Sequence, residues 1–137
     1  MNILFMCVAN SARSQLAEAL ATSMCPSDFK IESAGSMPTF VNPFAVQVLS
    51  EIGIHLQGSR SKTVDELPTA FLNNLNYVIT LCKEEVCPVY ITSRVKKLHW
   101  PLPDPARKNI STEESLALFR LTRQALEQKI KEFLETL

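Results

Sequence analysis

The sequence predicts an α/β fold in which a parallel sheet carries helices on both of its faces. Short apolar runs typical of buried strands alternate along the chain with segments of helical periodicity, and no internal repeat or linker interrupts this alternation. Strands that alternate with helices are joined by right-handed crossovers and are therefore parallel. With 137 residues, of which 46% are hydrophobic, we expect a single domain spanning residues 1–137.

The first half of the chain contains two strand–helix units. Residues 2–6 form the apolar run expected of a central parallel strand, and residues 13–24 follow with apolar side chains at helical spacing. Residues 29–34 are predicted to form a short second strand. Asn42 is a candidate N-cap before Pro43, which suits the first position of a helix. The apolar stripe predicted for this second helix comprises Ala45, Val48, Leu49 and Ile52.

The second half repeats the pattern. Residues 64–73 are predicted to form a helix, residues 77–81 a strand that ends at Cys82, and residues 96–100 a fourth strand. Ser111 and Glu114 have the spacing of a capping box and predict the start of a long last helix. One face of that helix carries Phe119, Leu126, Ile130, Phe133 and Leu137.

Composition narrows the class of protein. Lys+Arg and Asp+Glu number 14 each, so bulk charge does not indicate a nucleic-acid partner. No apolar stretch approaches the roughly 18 residues of a membrane span, and the N-terminal apolar run lacks the preceding basic region of a secretion signal. Four cysteines in such a chain indicate redox, metal or catalytic use. We therefore expect a cytoplasmic protein, monomeric and without nucleic-acid or membrane partners.

A cysteine and an arginine six positions apart connect the first strand to the first helix. The loop consists of Val8, Ala9, Asn10, Ser11, Ala12, Arg13 and Ser14 and follows Cys7 directly. Backbone N–H groups of such a loop can hold an oxyanion at a helix N-terminus, and the planar fork of Arg13 can hold two of its oxygens. The same positive groups favour a thiolate at Cys7, to which Ser14 can donate its hydroxyl. An inert, buried Cys7 is the alternative, which the placement between strand and helix disfavours.

Cys82 is predicted to share the edge of the sheet with Cys7. Each follows a predicted parallel strand, and the carboxyl ends of parallel strands meet at one edge, where ligands bind.

Motifs along nearly the whole chain resemble one known family. With the sequence Cys-Val-Ala-Asn-Ser-Ala-Arg-Ser-Gln at 7–15, the chain resembles the thioredoxin-coupled arsenate reductases built on the low-molecular-weight tyrosine phosphatase fold. The further matching segments are Ser33-Ala34-Gly35, Val41-Asn42-Pro43, Thr80-Leu81-Cys82, Cys87-Pro88, His99-Trp100 and Asp104-Pro105-Ala106.

The resemblance implies a three-layer flavodoxin-like fold with a four-stranded parallel sheet. It also implies that Cys7 is the nucleophile, Arg13 the oxyanion ligand and Asp104 the general acid, and that Asn10 braces the loop. Cys82 and Cys87 would form the redox relay. Arsenate would be the substrate and thioredoxin or glutaredoxin the reductant, with no cofactor.

The chemistry follows from these residue types. A thiolate at Cys7 attacks arsenate, and a protonated Asp104, expected in a partly desolvated cleft, donates to the departing oxygen. Cys82 then attacks the sulfur of Cys7, which leaves two electrons on arsenic, and Cys87 attacks Cys82. Helical spacing would place the Cα atoms of Cys82 and Cys87 roughly 8–9 Å apart, whereas a disulfide requires less than about 7 Å. We therefore expect residues 82–93 to rearrange on oxidation.

The chain departs from the family in two ways. Ala9 stands where the family usually has glycine, which an alanine can replace only if the backbone angle there is not restricted to glycine. Some of these reductases bind potassium beside the loop through an acidic residue, and Lys62 is expected to occupy the cation's place here. No metal is therefore predicted.

Other functions remain open on the sequence alone. A low-molecular-weight phosphatase would use the same loop and acid but would not need Cys82 and Cys87. A non-catalytic module that binds an anion or a partner is a third possibility, against which the presence of Cys7, Arg13 and Asp104 argues. Zinc binding at Cys82 and Cys87 lacks further ligands at suitable spacing. Cys25, before a proline at a predicted helix end, is interpreted as apolar packing.

Overall fold

The computed structural model describes residues 1–83 and 94–137. These residues form a parallel four-stranded sheet of β1 (Asn2–Cys7), β2 (Lys30–Gly35), β3 (Leu75–Cys82) and β4 (Lys96–Leu102), in the order β2-β1-β3-β4. Its helices are α1 (Arg13–Met24), α2 (Pro43–Ser50), α3 (Thr69–Asn73) and α4 (Thr112–Glu135). The predicted α/β architecture with a four-stranded parallel sheet is confirmed. None of the helices in the described residues is long and apolar enough to cross a membrane.

The two faces of the sheet are covered unequally. α1, α2 and α4 pack together on one face, where the larger core contains Phe5, Leu81 and Phe119. A 3-10 turn (Val64–Glu66) and α3 cover the other face, where a smaller core contains Met6 and Val78. Neighbouring residues of β1 therefore face opposite layers, as the period of a strand requires.

Local capping chemistry starts two of the helices where the sequence predicts. The Asn42 side chain accepts a hydrogen bond from the Phe44 N–H at 2.9 Å, and Pro43 takes the first helical position of α2. Ser111 accepts from the Glu114 N–H at 3.1 Å at the start of α4, and the reciprocal bond completes the capping box.

Three sequence predictions about helices are wrong in detail. The helix predicted over 64–73 is two short pieces, because Pro68 cannot continue the 3-10 turn that begins at Val64. Ile52 is 44% exposed, because α2 ends at Ser50 and the chain turns before this residue reaches the core. Leu137 is 49% exposed, because it lies beyond the end of α4.

β4 extends past its predicted end at Trp100. Thr80 pairs with His99 and Cys82 with Leu102, so two residues of β4 (Trp100 and Pro101) lie opposite one residue of β3. Pro101 fits this irregularity, since proline has no N–H for the ladder and occurs in sheets mainly at edges and bulges. Trp100 is buried against Phe5, as expected for a packing residue.

Candidate active site

The end of β1 lies at the point where the strand order of the sheet reverses. β1 lies between β2 and β3, so the chain leaves it first towards one edge and later returns on the other side. Ligands of open α/β sheets bind at the carboxyl ends of the strands at such a point. Cys7 is the last residue of β1, and Cys82 is the last residue of the adjacent β3.

The loop after Cys7 is fixed by bonds to its carbonyl groups. Val8 accepts from the Met37 N–H at 2.9 Å, Ala9 from the Thr39 N–H at 3.1 Å and Ser11 from the Asn42 N–H at 3.0 Å. Among the described residues, the N–H groups of residues 8–12 have no hydrogen-bond acceptor. The outward bonds hold the carbonyls away from the loop centre, which leaves these N–H groups for an anion.

Asn10 connects this loop to the structure beneath it. Its Nδ2 donates to Ser14 Oγ at 2.7 Å and to Ser33 Oγ at 3.0 Å. Its Oδ1 accepts from Gln15 Nε2 at 3.1 Å and from the Lys62 N–H at 3.0 Å. Asn10 is also the loop residue with a positive φ, 48°, a conformation that asparagine tolerates better than most residues. Ala9 is not among the positive-φ residues, so alanine fits there without a glycine.

Hydrogen bonds orient Ser14 towards the cysteine. Ser14 Oγ lies 2.8 Å from Cys7 Sγ and already accepts the bond from Asn10. Its single hydroxyl proton is therefore available for the sulfur of Cys7. An O–H donor at this distance stabilises a thiolate more than a thiol.

Arg13 is held by the far side of the site. It is 5% exposed at the first position of α1, and its Nη1 donates to the Leu102 carbonyl at 2.9 Å. This bond from the end of β4 helps to orient the guanidinium, although Arg13 and Leu102 lie far apart in the chain.

A small cavity joins these residues. It has a volume of about 100 Å³ and is lined by Cys7, Ala9, Ser11, Ala12, Arg13, Thr39, Asp104 and Ala106. Thr39 and Ala106 were not predicted as site residues. Thr39 gives no recognisable signal in the sequence, whereas Ala106 lies in a segment whose resemblance to the family was noted.

Asp104 lines this cavity but does not occupy a desolvated cleft. Its side chain is exposed at the rim, which contradicts the expectation of partial desolvation, because the loop after β4 runs over the surface there. Its Oδ1 accepts from the Ala106 N–H at 3.0 Å, a turn typical of aspartate. The carboxylate is thus fixed at the mouth of the cavity by its own backbone.

Among the described residues, Cys25 and Cys82 do not line the cavity. Cys82 is buried and disulfide-bonded, whereas Cys7 and Cys25 are free. Cys87 and most of the 82–93 segment lie outside the described residues, so the predicted rearrangement stays a prediction. Cys25 packs against the larger core, and burial raises the pKa of its thiol.

Cys7 and Cys82 lie on opposite faces of the sheet. Met6 pairs with Thr80, so Cys7 is level with Leu81 and shares its face with Phe5. Cys82 follows one position later and, by alternation, faces the smaller core with Val78. The two cysteines are therefore on adjacent strands and, by this alternation, on opposite faces of the sheet.

A charged group lies beneath the loop. Ser33 Oγ donates to Glu18 Oε1 at 2.8 Å, and Lys62 Nζ donates to the same oxygen at 3.4 Å. Burial, followed by the charge of Glu18, raises the pKa of the nearby Glu32, and Lys62 opposes this shift. Within the described part of the chain, no cluster of three or more His, Cys, Asp or Glu residues could hold a metal ion. The positive charge beside Glu18 comes from the ammonium group of Lys62.

Gly35 allows the loop and β2 to meet. A Cβ at this position would overlap the Val8 carbonyl oxygen and lie 2.9 Å from the Asn10 nitrogen. The Gly35 N–H donates to the Lys62 carbonyl at 2.9 Å. Only glycine fits between these backbone segments, which explains the Ser33-Ala34-Gly35 motif.

Fold and site together define a class of α/β proteins with a cysteine at the end of a central parallel strand, a loop that leads into a helix, and a small cavity above the cysteine. Residues 2–137 match the model of the family described as low molecular weight phosphotyrosine protein phosphatase. The chain belongs to this family.

Its curated relatives are named for a different activity. The chain is 38% identical over 136 residues to an arsenate reductase of Bacillus subtilis strain 168, covering 98% of this chain and 95% of the relative. A solved arsenate reductase from Archaeoglobus fulgidus superimposes with a TM-score of 0.79 at 29% identity, covering 97% of this chain and 98% of that one. A thioredoxin-dependent arsenate reductase of Corynebacterium glutamicum gives a TM-score of 0.74 at 27% identity, with 98% and 60% covered.

Proposed function

We propose that this protein reduces arsenate to arsenite through a thiol–disulfide relay. The observation that carries the proposal is the roughly 100 Å³ cavity over Cys7, at the same sheet edge as an oxidised Cys82. The cavity suits a single tetrahedral oxyanion, and the described residues that line it include no aromatic side chain that would hold an aryl phosphate. The arsenate reductase relatives support the same substrate.

Binding and the first chemical step use the loop. Arg13 and the N–H groups of residues 8–12 hold the oxygens of arsenate, which places arsenic above Cys7 Sγ. The thiolate attacks arsenic, an As–O bond breaks, and the oxygen leaves as water after Asp104 donates a proton. The product of this step is a covalent Cys7–arsenate adduct.

Reduction then consumes two thiols. The Cys82 thiolate attacks Cys7 Sγ, an S–S bond forms and the S–As bond breaks with its electron pair on arsenic. Arsenic(V) becomes arsenic(III) and leaves as arsenite, while two thiols are oxidised to one disulfide. Strand alternation puts Cys7 and Cys82 on opposite faces of the sheet, so we expect the end of β3 to rotate for this attack.

The oxidised relay requires an external reductant. In this proposal Cys87 attacks Cys82 and releases Cys7, and a dithiol protein then reduces the Cys82–Cys87 disulfide. In the structure Cys7 is free and Cys82 is disulfide-bonded. Thioredoxin is favoured over glutaredoxin, because a solved structural neighbour is described as thioredoxin-dependent.

Phosphoester hydrolysis is the second candidate function. The family is described as phosphatases, and Cys7, Arg13 and Asp104 would serve that reaction equally well. A phosphatase would have no use for an oxidisable Cys82.

Thiol counting tests the proposal. The fully reduced protein, freed of reductant, is mixed with excess arsenate, and free thiols are titrated after denaturation. We expect two of the four thiols to disappear with one equivalent of arsenite formed, and Cys25→Ser, the matched control, to lose two as well. Unchanged thiols together with hydrolysis of aryl phosphates would establish the phosphatase instead.

A further inference from the structure

Prolines occupy every second position from Pro101 to Pro105, where the chain passes from β4 to the cavity. Pro101 lies within β4 at the register shift, and Leu102 and Asp104 lie between the prolines. Both intervening residues contact the site. The Leu102 carbonyl accepts from Arg13, and Asp104 lines the cavity.

This pattern restricts the backbone at successive positions. A proline fixes its own φ near about −65°, and it also excludes helical conformations from the residue before it. Trp100, Leu102 and Asp104 each precede a proline and are restricted in this way. Pro105 is buried, and the Asp104 carboxylate is bound to the Ala106 N–H, so the far end of the run is also anchored.

The register shift in β4 lies at the start of the proline-containing segment 101–105. Bulges beside active sites redirect groups that a regular strand would keep in the ladder. Here the extra residue of β4 precedes Leu102, whose carbonyl is 2.9 Å from Arg13 Nη1. A rigid segment that starts at this shift can hold both the guanidinium and the carboxylate against the same cavity.

We propose that Pro101 and Pro103 are positioning residues that orient Arg13, through the Leu102 carbonyl, and Asp104 towards the substrate. The proposal rests on the proposed function, because it assigns Asp104 as the acid. It explains how an exposed side chain is kept in position for catalysis: the backbone, not burial, holds Asp104 at the mouth of the cavity. Preorganised groups avoid the reorganisation that a mobile loop would need in the transition state.

If Pro101 and Pro103 had a purely structural role, replacing them would affect stability but not the catalytic effect of Asp104. Prolines in loops stabilise proteins by limiting the unfolded chain, and prolines on edge strands discourage aggregation. Both effects are independent of Asp104. Coupling between the prolines and Asp104 therefore distinguishes positioning from stabilisation.

The experiment is a double-mutant cycle. Pro101→Gly and Pro103→Gly are made in the wild-type protein and in Asp104→Asn, with Pro26→Gly as the matched control. Pro26 is an exposed proline beyond the end of α1, at the opposite edge of the sheet. Arsenate kcat and KM are measured with excess reductant, and melting temperatures are recorded for every variant.

We expect Pro103→Gly to lower kcat about tenfold, part of the hundred- to ten-thousand-fold effect of a general acid. The same change in Asp104→Asn should lower kcat less than about twofold, since the acid is already lost. Pro101→Gly should raise the arsenate KM in both backgrounds, because it acts through Arg13. Pro26→Gly should leave kcat and KM unchanged.

The proposal would be overturned if Pro103→Gly lowered kcat by the same factor in the wild-type protein and in Asp104→Asn, or if it left kcat unchanged. It would also be overturned if Asp104→Asn had the kcat of the wild-type protein. If the wild-type protein hydrolyses aryl phosphates but does not reduce arsenate, the proposed function fails by itself. The same cycle then runs on aryl phosphate hydrolysis, where coupling would still support the positioning role. A wild-type protein with neither activity would remove both proposals.

Discussion

At the scale of single residues, the proposed mechanism assigns different steps to two cysteines in different surroundings. Cys7 sits in the oxyanion cavity beside Ser14, whereas Cys82 is on the adjacent strand and outside the cavity. The proposed mechanism requires Cys7 in every reaction of the site but requires Cys82 only when electrons are transferred.

Replacing each cysteine by serine separates these roles. Cys7→Ser should abolish both arsenate reduction and any aryl phosphate hydrolysis, because no nucleophile remains. Cys82→Ser should abolish reduction and keep hydrolysis close to the wild-type rate. Steady-state assays of both reactions in both variants check this division, and an equal loss of hydrolysis in the two variants would refute it.

Asp104 is a second prediction at this scale. Asp104→Asn keeps the shape of the side chain and its bond to the Ala106 N–H but cannot supply the proton. A lost general acid costs about a hundred- to ten-thousand-fold, and we expect the lower end because water reaches this exposed side chain. Hydrolysis rates for aryl phosphates with good and poor leaving groups provide the measurement. The poor leaving group should be affected more, and equal effects would argue against proton donation.

At the scale of secondary-structure elements, residues at the ends of strands and helices make the contacts that fix the loop and the packing of the helices. β2 ends at Gly35 because the loop backbone passes too close for a side chain. α2 and α4 are joined by ion pairs from Arg120 and Arg123 to Glu51, which follows the end of α2.

Gly35→Ala should destabilise the protein and disrupt the loop. The added methyl group meets backbone atoms of Val8 and Asn10, which cannot move without breaking the bonds that hold the loop. Overpacking of this kind costs about 1–3 kcal/mol. Denaturant unfolding and isothermal titration with phosphate test the two effects. The control is Gly58→Ala, where a Cβ has open space and only the positive φ of 70° is unfavourable, so phosphate binding should persist.

The Glu51 ion pairs predict a dependence of stability on pH. Hydrogen bonds from Arg120, and then from Arg123, lower the pKa of Glu51 from 4.5 to about 2. A carboxyl group with a lowered folded-state pKa stabilises the protein above its unfolded-state pKa and loses this contribution as pH falls through the folded-state value. Glu51→Gln should therefore be less stable than wild type at pH 7. The difference should shrink between pH 4.5 and about pH 2.

Urea unfolding at several pH values measures this difference. Glu135→Gln, which removes an exposed carboxylate at the end of α4, is the matched control and should show a smaller difference at pH 7. A Glu51→Gln difference that stays constant down to pH 2 would mean that the carboxylate charge is not what stabilises α2 against α4.

At the scale of the whole molecule, the sheet places the two reactive cysteines on neighbouring strands but on opposite faces. By alternation along the strands, Cys7 lies on the face of Phe5 and Cys82 on the face of Val78. A disulfide between them requires Cβ vectors that converge. We therefore expect one turnover to open the end of β3.

Trapping the intermediate tests this movement. In Cys87→Ser, one turnover with arsenate should stop at a Cys7–Cys82 disulfide, because no third thiol releases Cys7. Amide hydrogen exchange at Leu81, Cys82 and Lys83 should then be faster than in the reduced variant, while exchange at Ile3 and Leu4 should not change. Identical exchange at 81–83 in the two redox states would contradict a rotation of β3.

Much of the fold follows from local rules in the sequence. The bounds of α1 and the starts of α2 and α4 were predicted because apolar spacing and the caps at Asn42 and Ser111 act within a few residues. The prediction of one continuous helix over 64–73 is wrong because Pro68 divides the segment. The prediction that Ile52 belongs to the apolar stripe of α2 is wrong because a turn ends α2 before this residue. Periodicity alone does not show where a helix stops.

The sequence by itself determined the parallel α/β architecture, the position of the Cys7–Ser14 loop between β1 and α1, and the shared edge of Cys7 and Cys82. These features depend on alternating patterns and on neighbours in the chain. Only the tertiary structure decided that Asp104 is exposed, that Leu102 orients Arg13 and that Thr39 lines the cavity. It also decided that Cys7 and Cys82 face opposite layers. Such contacts join residues far apart in the chain, and their geometry depends on strand register and loop paths that no local pattern encodes.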